Sequence, residues 1–486
     1  MEATTLVILA FVVTLIFFLF VRKKNDKLPP GPKGWPIVGY VPYLSSKPHL
    51  DFIKLAKTYG PVFSLKLGSQ YIIVLNDFHS TKEAFSQDAF IGRPPQSAFE
   101  TNKETAETGA FTGLPWKEQR RFSLRILRDL GFGKSKLDNM LKEEIDELLQ
   151  HFEESDGRPM YIRPLLSPSM SNNITALIFG KRLKFDDPDR IMLDKVISEF
   201  SAQAGQAAWQ FFFPWIRSCL KLYRFGKEGE LDYLLKKMRE FTKKEIANHE
   251  ETLDENNVRD YIDGYLLEIR KRNEKAFCKE VLEDMAGSFF GGGSETVRTT
   301  IDWLMLTMAA YEDVQEKVQA EIDNVIGRNR SPTWTDHSQM PYTEATIMEM
   351  MRWRTIVPIN ILRYTLWETE VNGYVIPKDT NVMSNLWAIH HNPEYWGQDV
   401  EVFRPERFLS DDGESVVKPE YFIPFSMGKR SCPGESFARS EIFLYFVCIM
   451  QKFKVTLPDG AIPDFEGELG ISLFPRPYEI RFHKRK

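Results

Sequence analysis

The chain has 486 residues, of which 43% are hydrophobic, and it carries a formal net charge of −5. A chain of this size buries a large core, and its 36 Phe favour an interior that encloses an apolar ligand. Charges of both signs are well mixed, which argues against a nucleic-acid-binding protein, because that class needs a basic excess. The four cysteines are unclustered and do not resemble a disulfide framework, so we expect the folded part to face a reducing, cytosolic environment.

The N-terminus predicts a single transmembrane helix that anchors the chain. Residues 3–21 carry no charge, and a helix of that length rises by roughly 28 Å, about the thickness of the hydrocarbon layer. The alternative is a cleaved signal peptide, which needs a basic start, whereas here the basic residues 22–24 follow the span. The positive-inside rule places everything after the span on the cytoplasmic side. The predicted segments are an anchor at 1–21, a basic and proline-rich hinge at 22–35, and a folded domain at 36–486.

The folded domain is predicted to be mainly α-helical with a minor β-sheet. Apolar and polar residues alternate over 61–75 on both sides of a turn at Gly68, which predicts a β-hairpin. Helical periodicity dominates beyond residue 116, and short strand-like segments return towards the C-terminus. The clearest helical stretches are 142–152 and 231–250, and the strand-like segments are 371–376 and 478–482.

An apolar helix with an unusual centre is predicted at 286–303. Three consecutive glycines at 291–293 each cost roughly 1 kcal/mol in a helix interior relative to Ala, which favours a close approach of the backbone to a ligand. Glu295 and Thr296 follow, and an acid beside an alcohol suits proton delivery. The alternative is a pair of polar residues that face a solvated groove.

Glu349 and Arg352 are spaced i,i+3, so a helix places them on one face. Three Met and a Trp surround them in the sequence, which favours burial of the pair. A buried ion pair needs further partners to offset the cost of desolvation.

Cys432 lies just before an apolar stretch at 436–453 that predicts a helix, with Pro433 in its first position. The helix dipole and free N–H groups stabilise a thiolate at such a place, and Arg430 adds positive charge. A thiolate of this kind is a good ligand for iron. The residues alone leave open a buried structural cysteine. A zinc site is poorly supported, because no second Cys or His lies within several residues.

Four motifs resemble those of the cytochromes P450. Residues 425–434 complete the haem-binding pattern F-x-x-G-x-R-x-C-x-G, residues 349–352 match E-x-x-R, residues 403–408 match the P-E-R-F segment, and residues 116–120 match W-x-x-x-R. The resemblance covers essentially the whole chain and is strongest to the animal microsomal class, with an invertebrate-like stretch at 127–134. It implies the cytochrome P450 fold and a haem-thiolate monooxygenase with haem b (iron protoporphyrin IX), whose iron has Cys432 as its axial ligand.

The resemblance also implies roles for other residues. Thr296 is the expected proton donor to the activated oxygen, with Glu295 upstream of it. The implied cofactor-binding residues are Cys432, Trp116, Arg120, Arg363, Arg430, Phe425 and Gly434, and the implied structural triad is Glu349, Arg352 and Arg407. Two positions depart from the family pattern: Val297 replaces a second Thr or Ser, and the loop between Arg93 and Trp116 lacks an Arg that many relatives direct at a haem propionate.

The substrate pocket expected from the resemblance is largely apolar, which favours a lipophilic substrate such as a steroid, a fatty acid or a xenobiotic. Its members are Phe111, Phe289, Phe290, Gly292, Val357, Ile359, Asn360 and Leu473. Each aromatic residue among them fits a plain core position equally well. The dense aromatic run at 209–215 fits either a membrane-interface position near a substrate entrance or packing between helices.

The resemblance implies insertion of one oxygen atom from O₂, with electrons from NADPH that reach the haem through a separate flavoprotein, NADPH-cytochrome reductase. Cytochrome b5 is a second expected donor. The chain has no G-x-G-x-x-G motif after a strand, which fits an external donor. We expect a single-pass protein of the endoplasmic reticulum membrane with its catalytic domain on the cytoplasmic face.

Two alternatives to this function remain at the level of the sequence. One is the peroxide-rearranging branch of the family, against which the acid–alcohol pair argues. The other is a haem-based gas sensor or lipid-binding module, against which the complete motif set argues.

Overall fold

The computed structural model describes residue 11 and residues 28–94, 103–131, 135–207, 212–213 and 228–486. The predicted anchor, residues 22–27 of the predicted hinge and most of the aromatic run at 209–215 lie outside these residues. Within the described residues, no helix combines the length and the apolar character that crossing a membrane requires.

The described part of the chain is mainly α-helical with small sheets, as predicted. The α-helices are α1 (Pro48–Tyr59), α2 (Phe78–Ser86), α3 (Lys103–Thr108), α4 (Gly113–Asp129), α5 (Ser135–Glu154), α6 (Arg163–Phe179), α7 (Pro188–Ala207), α8 (Glu228–Thr252), α9 (Tyr261–Arg272), α10 (Lys279–Ala310), α11 (Glu312–Val325), α12 (Pro341–Trp353), α13 (Leu386–His390), α14 (Pro393–Trp396) and α15 (Glu435–Lys452). The 3₁₀ turns are Val41–Tyr43, Asp88–Ile91, Trp334–Gln339, Pro405–Phe408 and Gly428–Arg430. The strands are β1 (Val62–Leu67), β2 (Gln70–Leu75), β3 (Arg363–Tyr364), β4 (Thr369–Val371), β5 (Tyr374–Ile376), β6 (Asn381–Ser384), β7 (Phe453–Thr456), β8 (Glu468–Leu469), β9 (Leu473–Phe474) and β10 (Arg481–Lys484).

The largest sheet has four strands in the order β1-β2-β6-β3. β1 and β2 form the predicted hairpin around Gly68, with Val62 opposite Leu75. β2 then pairs in parallel with β6, and a parallel pair needs a crossover connection, which here contains most of the helices. The sheet therefore joins the N-terminal hairpin to the segment that follows α12.

The last part of the predicted hinge is bound to this sheet. The Ser64 backbone N–H donates to the carbonyl of Pro30 at 2.8 Å, and the Ser64 hydroxyl donates to the carbonyl of Pro29 at 2.8 Å. The proline-rich stretch thus runs beside β1 as part of the folded structure.

The predicted strand at 371–376 is in fact a tight hairpin of β4 and β5. Its turn is Asn372-Gly373, and both residues have positive φ angles, 51° and 76°. An Asn-Gly pair is the sequence signal of a two-residue hairpin turn, so this hairpin was recognisable from the sequence and was missed.

Helix α10 is central, because it packs against α6, α7, α8, α9, α11, α12 and α15. Its three glycines differ in their surroundings. A Cβ on Gly293 would lie 2.7 Å from Cδ1 of Ile174, so this glycine allows α6 to pack closely. A Cβ on Gly291 or Gly292 would meet nothing within 4 Å. Gly293 therefore serves helix packing, whereas Gly291 and Gly292 leave the room that the close-approach interpretation requires.

A protonatable group lies buried between α6 and α15. Asn173 donates from Nδ2 to Glu441 Oε1 at 2.6 Å and to the Tyr445 hydroxyl at 2.8 Å. Burial raises the pKa of Glu441 to about 8. Two acceptors, Asn173 Oδ1 and Glu441 Oε2, have no hydrogen-bond partner, so a proton on Glu441 supplies the donor that this buried pair lacks.

We predict that Glu441→Gln removes a pH dependence of stability. Because the folded pKa of about 8 exceeds the unfolded value of about 4.3, the folded protein keeps a proton that the unfolded chain releases. The free energy of unfolding therefore decreases as pH rises from about 4.3 to about 8. At about pH 9 the variant with the neutral Gln is expected to have a larger free energy of unfolding than wild type. Urea unfolding of both proteins as a function of pH measures this difference. Parallel pH profiles for wild type and variant would refute the assignment, and Glu316→Gln on the exposed face of α11 is the control.

Candidate active site

Cys432 lies in the segment 425–434, which we call the cysteine segment. The backbone N–H of Cys432 donates to the carbonyl of Phe425 at 2.9 Å and so closes the segment into a loop. Gly428 in this loop has a φ of 71°, and a Cβ there would lie 2.0 Å from the carbonyl oxygen of Phe85. The glycine of the motif is therefore required both by backbone conformation and by the contact with α2.

Helix α15 begins at Glu435 with Gly434 as its N-cap. Pro433 therefore precedes the helix, and the prediction that it takes the first helical position is wrong by two residues. Burial raises the pKa of the Cys432 thiol, while a hydrogen bond from the Gly434 backbone N–H lowers it. The residue nevertheless keeps accessible surface, so the thiol is open to a ligand.

Four arginines converge beside the cysteine segment. Burial and the charges of Arg93, Arg363 and Arg120 lower the pKa of Arg430 to about 7. Burial and the charge of Arg120 lower the pKa of Arg93 to about 10. Arg363 is fully buried, and burial followed by the charges of Arg93 and Arg120 holds its pKa well below the usual range. Mutual repulsion of this kind shows that the four guanidinium groups lie close together.

Hydrogen bonds tie this arginine cluster to the cysteine segment. Arg363 donates from Nη2 to the Met427 carbonyl at 3.0 Å and to the Ser426 hydroxyl at 3.3 Å, and Arg120 donates to the Ser431 hydroxyl at 3.4 Å. Within the described residues, none of the four forms an ion pair with a carboxylate, and Nε and Nη1 of Arg363 have no hydrogen-bond partner at all. The cluster therefore has an unmet requirement for an anion.

Trp116 supports the cluster through its ring. The Arg430 guanidinium carbon lies 3.7 Å from the ring centroid and that of Arg120 lies 5.8 Å from it. The structure thus brings together Trp116, Arg120, Arg363 and Arg430, all predicted from the resemblance. Arg430 also donates to the carbonyls of Ile91 and Phe111, so the loop before α4 is fixed to the cluster.

Arg93 was missing from the predicted set. The prediction noted that the loop after Arg93 lacks an arginine, and the structure shows that Arg93 itself joins the cluster. Its Nη1 donates to the carbonyls of Ile361 and Leu362, which precede β3. The local sequence offered one sign of this position, the preceding Gly92. Its backbone lies so close to Tyr364 that a Cβ would lie 2.3 Å from the Tyr364 carbonyl oxygen.

Glu349, Arg352 and Arg407 meet in the core as the resemblance implies. Arg352 donates to both oxygens of Glu349, at 2.7 and 2.8 Å, and both side chains have no exposed surface. Arg407 Nε lies 3.3 Å from Glu349 Oε1, and the backbone N–H of Arg404 donates to the same oxygen at 3.0 Å. The carboxylate thus has the additional donors that a buried ion pair needs.

Thr296 and Glu295 lie on different faces of α10. The Thr296 hydroxyl donates to the carbonyl of Gly292 at 2.7 Å, and Gly292 is exposed although its helix is packed on most sides. Glu295 is buried and accepts hydrogen bonds from Ser201 of α7 at 2.8 Å and from Ser472 at 3.1 Å, and it pairs with Arg298. The Gly292–Thr296 face therefore has open space beside it, whereas the buried Glu295 carboxylate is held by other elements.

The predicted pocket residues differ in burial and partners. Phe290 is fully buried and packs against Phe179 of α6, and Ile359 is partly buried and packs against the core of the main sheet. Asn360 uses its amide to donate to the Ser426 hydroxyl at 2.7 Å, which makes it a support of the cysteine segment. The remaining members are the partly buried Phe111, Phe289 and Val357, the open Gly292, and Leu473, which is buried and bonded to Ile356 and Trp303.

Comparison with known proteins decides the family. A sequence model of the cytochrome P450 family matches residues 29–482. The chain is 37% identical to cytochrome P450 2U1 of Homo sapiens, over 98% of this chain and 93% of that protein. It is 34% identical to cytochrome P450 18a1 of Drosophila melanogaster, over 98% and 91% of the two chains, and 35% identical to cytochrome P450 2J5 of Mus musculus, over 96% and 94%. The chain belongs to the cytochrome P450 family. It is accordingly a monooxygenase of the animal class with haem as its cofactor.

The residues of this P450 fit haem. The two propionates of haem are the anions that the arginine cluster lacks, and Arg363 has two buried donor atoms without partners. Cys432 would hold the iron, because the residue keeps accessible surface and, although burial raises the pKa of its thiol, the Gly434 N–H and the charge of Arg120 oppose that rise.

We predict that Arg363→Gln weakens haem binding and stabilises the haem-free protein. The variant loses charge-assisted hydrogen bonds worth about 1.5–3 kcal/mol each, so haem is expected to dissociate about tenfold to a hundredfold faster. Without haem, the change removes repulsion among the four arginines, so the melting temperature is expected to rise. Haem transfer to a scavenger protein and thermal unfolding measure the two effects.

The matched control is Arg354→Gln. Arg354 is also buried without a close carboxylate, and burial lowers its pKa to about 10, but it lies over the ring of Trp353, 3.7 Å from the centroid. Equal haem loss from both variants would contradict the role of Arg363.

Proposed function

We propose that this P450 inserts one oxygen atom from O₂ into a C–H bond of a lipophilic substrate, such as a steroid, a fatty acid or a xenobiotic. In this reaction the C–H bond becomes C–OH, the second oxygen atom leaves as water, and one NADPH and one proton are consumed. The observation that carries the proposal is the accessible Cys432 thiol beside four arginines without carboxylate partners, in a chain of the cytochrome P450 family. Haem bound there supplies the activation of O₂.

Thr296 is the proposed proton donor. Thr296 is only partly buried and its hydroxyl donates to the Gly292 carbonyl, so a rotation of the side chain would redirect the O–H towards the open side of Gly292. Glu295 lies about 100° around the helix from Thr296. Because its oxygens accept from Ser201, Ser472 and Arg298, Glu295 acts in proton delivery only if those bonds rearrange.

The proposed pocket consists of Phe111, Phe289, Gly292, Val357 and Leu473. These residues offer carbon surface and no charge, which suits a lipophilic substrate with few polar anchors. Leu473 is fixed by backbone hydrogen bonds to Ile356 and by the Trp303 indole N–H, so the hairpin of β8 and β9 forms a firm wall.

The proposed electron donor is NADPH-cytochrome reductase, with cytochrome b5 as a second donor. Lys117 of α4 and Lys429 of the cysteine segment both bind Asp88, at 3.0 and 2.6 Å, so basic residues of two elements meet on the surface near Cys432. Arg121, Arg125 and Arg128 are exposed on the same helix as Lys117. A basic face suits an acidic flavoprotein.

The proposed location is the endoplasmic reticulum membrane. The charge-free span at 3–21 and the basic residues that follow it support an N-terminal anchor with the catalytic domain on the cytoplasmic side.

We predict that the reduced protein with carbon monoxide shows the strongly red-shifted Soret band of thiolate ligation. Cys432→His is expected to lose this band, because imidazole replaces the thiolate as ligand. Cys448→Ala is the control, since burial raises the pKa of that thiol to about 12 and it has no place near the arginine cluster. Retention of the band in Cys432→His, or its absence from folded, haem-loaded wild type, would overturn the assignment.

We also predict that Thr296→Ala keeps haem but separates NADPH use from product formation. The ratio of product to NADPH, measured with the reductase, is expected to fall by about tenfold or more, because general acid catalysis of this kind contributes at least that much. Thr307→Ala is the control, as the Thr307 hydroxyl donates to the Trp303 carbonyl at 2.7 Å farther along α10. An unchanged ratio would refute the role of Thr296, and turnover of a hydroperoxide without NADPH would favour the peroxide-rearranging alternative.

A further inference from the structure

His390 is a fully buried histidine at the end of α13, outside the motifs discussed above. Every polar group of its side chain and its carbonyl is engaged. The carbonyl accepts from Nη1 of Arg352 at 2.9 Å, ring Nδ1 lies 2.8 Å from the Thr355 hydroxyl, and ring Nε2 accepts from the backbone N–H of Ile423 at 3.1 Å. His390 therefore contacts both the Glu349–Arg352 pair and the chain just before the cysteine segment.

The hydrogen-bond partners fix the protonation state of the ring. A backbone N–H is always a donor, so Nε2 carries no proton where it meets Ile423. The Thr355 hydroxyl donates to the Arg352 carbonyl at 2.8 Å, which leaves its oxygen to accept from Nδ1–H. Burial and the charge of Arg352 lower the pKa of His390 to about 3. The imidazole is thus a neutral ring with one acceptor in a fixed place.

Ile423 begins a series of hydrogen bonds that leads to Cys432. Its carbonyl accepts from the backbone N–H of Ser426 at 2.9 Å. Ser426 has a φ of 61°, a conformation that a residue other than glycine adopts only when its surroundings hold it. At the start of the same loop, three residues before Gly428, the Phe425 carbonyl accepts from the backbone N–H of Cys432. A shift of Ile423 is therefore transmitted to the cysteine through a few well-ordered bonds.

We infer that His390 is a positioning residue that sets the place of the Cys432 sulfur by holding the Ile423 backbone amide. The Glu349–Arg352 pair acts on the cysteine segment through this ring, because Arg352 binds the His390 carbonyl and, through Thr355, orients Nδ1. The inference rests on the proposed ligation of haem iron by Cys432.

The neighbouring His391 provides a matched control. It is also buried, but its Nδ1 lies 3.1 Å from the Trp387 carbonyl of its own helix, and its ring stacks on Trp387 with centroids 4.0 Å apart. Within the part of the chain that the structure describes, its side chain makes no hydrogen bond to the cysteine segment or to Ile423. Substitution of either histidine is therefore expected to disturb α13, whereas only substitution of His390 is expected to affect the Cys432 thiolate.

The experiment compares four variants of the full chain loaded with haem: His390→Gln, His390→Asn, His390→Phe and His391→Asn. The longer Gln side chain places an acceptor near the position of Nε2 and keeps a partner for Ile423, whereas Asn reaches only the position of Nδ1 and Phe offers no acceptor. Three quantities are measured: the fraction of the reduced carbon monoxide complex with the thiolate band, the reduction potential, and hydrogen exchange of the amides at 423–432.

We expect His390→Asn to exchange the Ile423 amide about tenfold faster than wild type, because a buried hydrogen bond is lost. In this variant and in His390→Phe the thiolate band is expected to decline in favour of the band of a protonated or displaced thiol, with a shifted potential. His390→Gln is expected to remain close to wild type, and so is His391→Asn. If His390→Phe fails to fold, the comparison of His390→Asn with His390→Gln still tests whether an acceptor at the position of Nε2 is needed.

Wild-type spectra and potential in His390→Asn, or equal losses in His390→Asn and His391→Asn, would overturn the inference. A wild-type protein without the thiolate band would instead refute ligation by Cys432. In that case the amide exchange of Ile423 still shows whether His390 holds the chain before the cysteine segment.

Discussion

The repulsion among Arg93, Arg120, Arg363 and Arg430 is the constraint on which the active site depends. Partly or fully buried charges cost several kcal/mol each, and carbonyls, hydroxyls and the Trp116 ring offset part of this cost, but no carboxylate of the described residues pairs with the cluster. The arginine cluster therefore needs anions from outside the chain, and the two propionates of haem would supply them. Because an anion that binds only the folded chain shifts the folding equilibrium, haem is a part of the stability of this protein as well as the source of its chemistry.

The Glu349 site shows the opposite arrangement of buried charge. Arg352, Arg407 and the Arg404 amide all donate to its carboxylate, so this buried charge needs no group from outside the chain. Removing one partner of such a group is strongly destabilising, typically by about 3–5 kcal/mol. One buried charge is thus neutralised by the chain itself, whereas the arginine cluster needs an anion from outside the chain. The cysteine segment lies between the two.

The sequence predicted the parts of the structure that depend on local pattern. The hairpin at Gly68, the apolar helix α10 and the Glu349–Arg352 spacing all follow from periodicities of two or about 3.6 residues, and the haem site followed from motifs that resemble a known family. What could not be predicted depends on long-range packing. Arg93 joins the cluster because the chain at Gly92 lies against Tyr364, and Phe290 faces α6 because of the rotation of α10 about its axis. Composition and spacing determine neither.

Three faces of α10 serve three purposes, and this division explains its unusual sequence. Gly293 allows contact with α6, Gly292 and Thr296 have open space beside them, and Glu295 binds Ser201 of α7 and Ser472 in the turn of the β8–β9 hairpin. α7 and the hairpin are joined directly as well, since the Ile471 N–H donates to the Ser201 carbonyl at 3.3 Å. A displacement of α7 or of the hairpin therefore changes the environment of Glu295, which is the neighbour of Thr296 in the chain. Leu473 belongs to the same hairpin and forms a wall of the proposed pocket. The Glu295 carboxylate therefore links this wall to Thr296, the proposed proton donor.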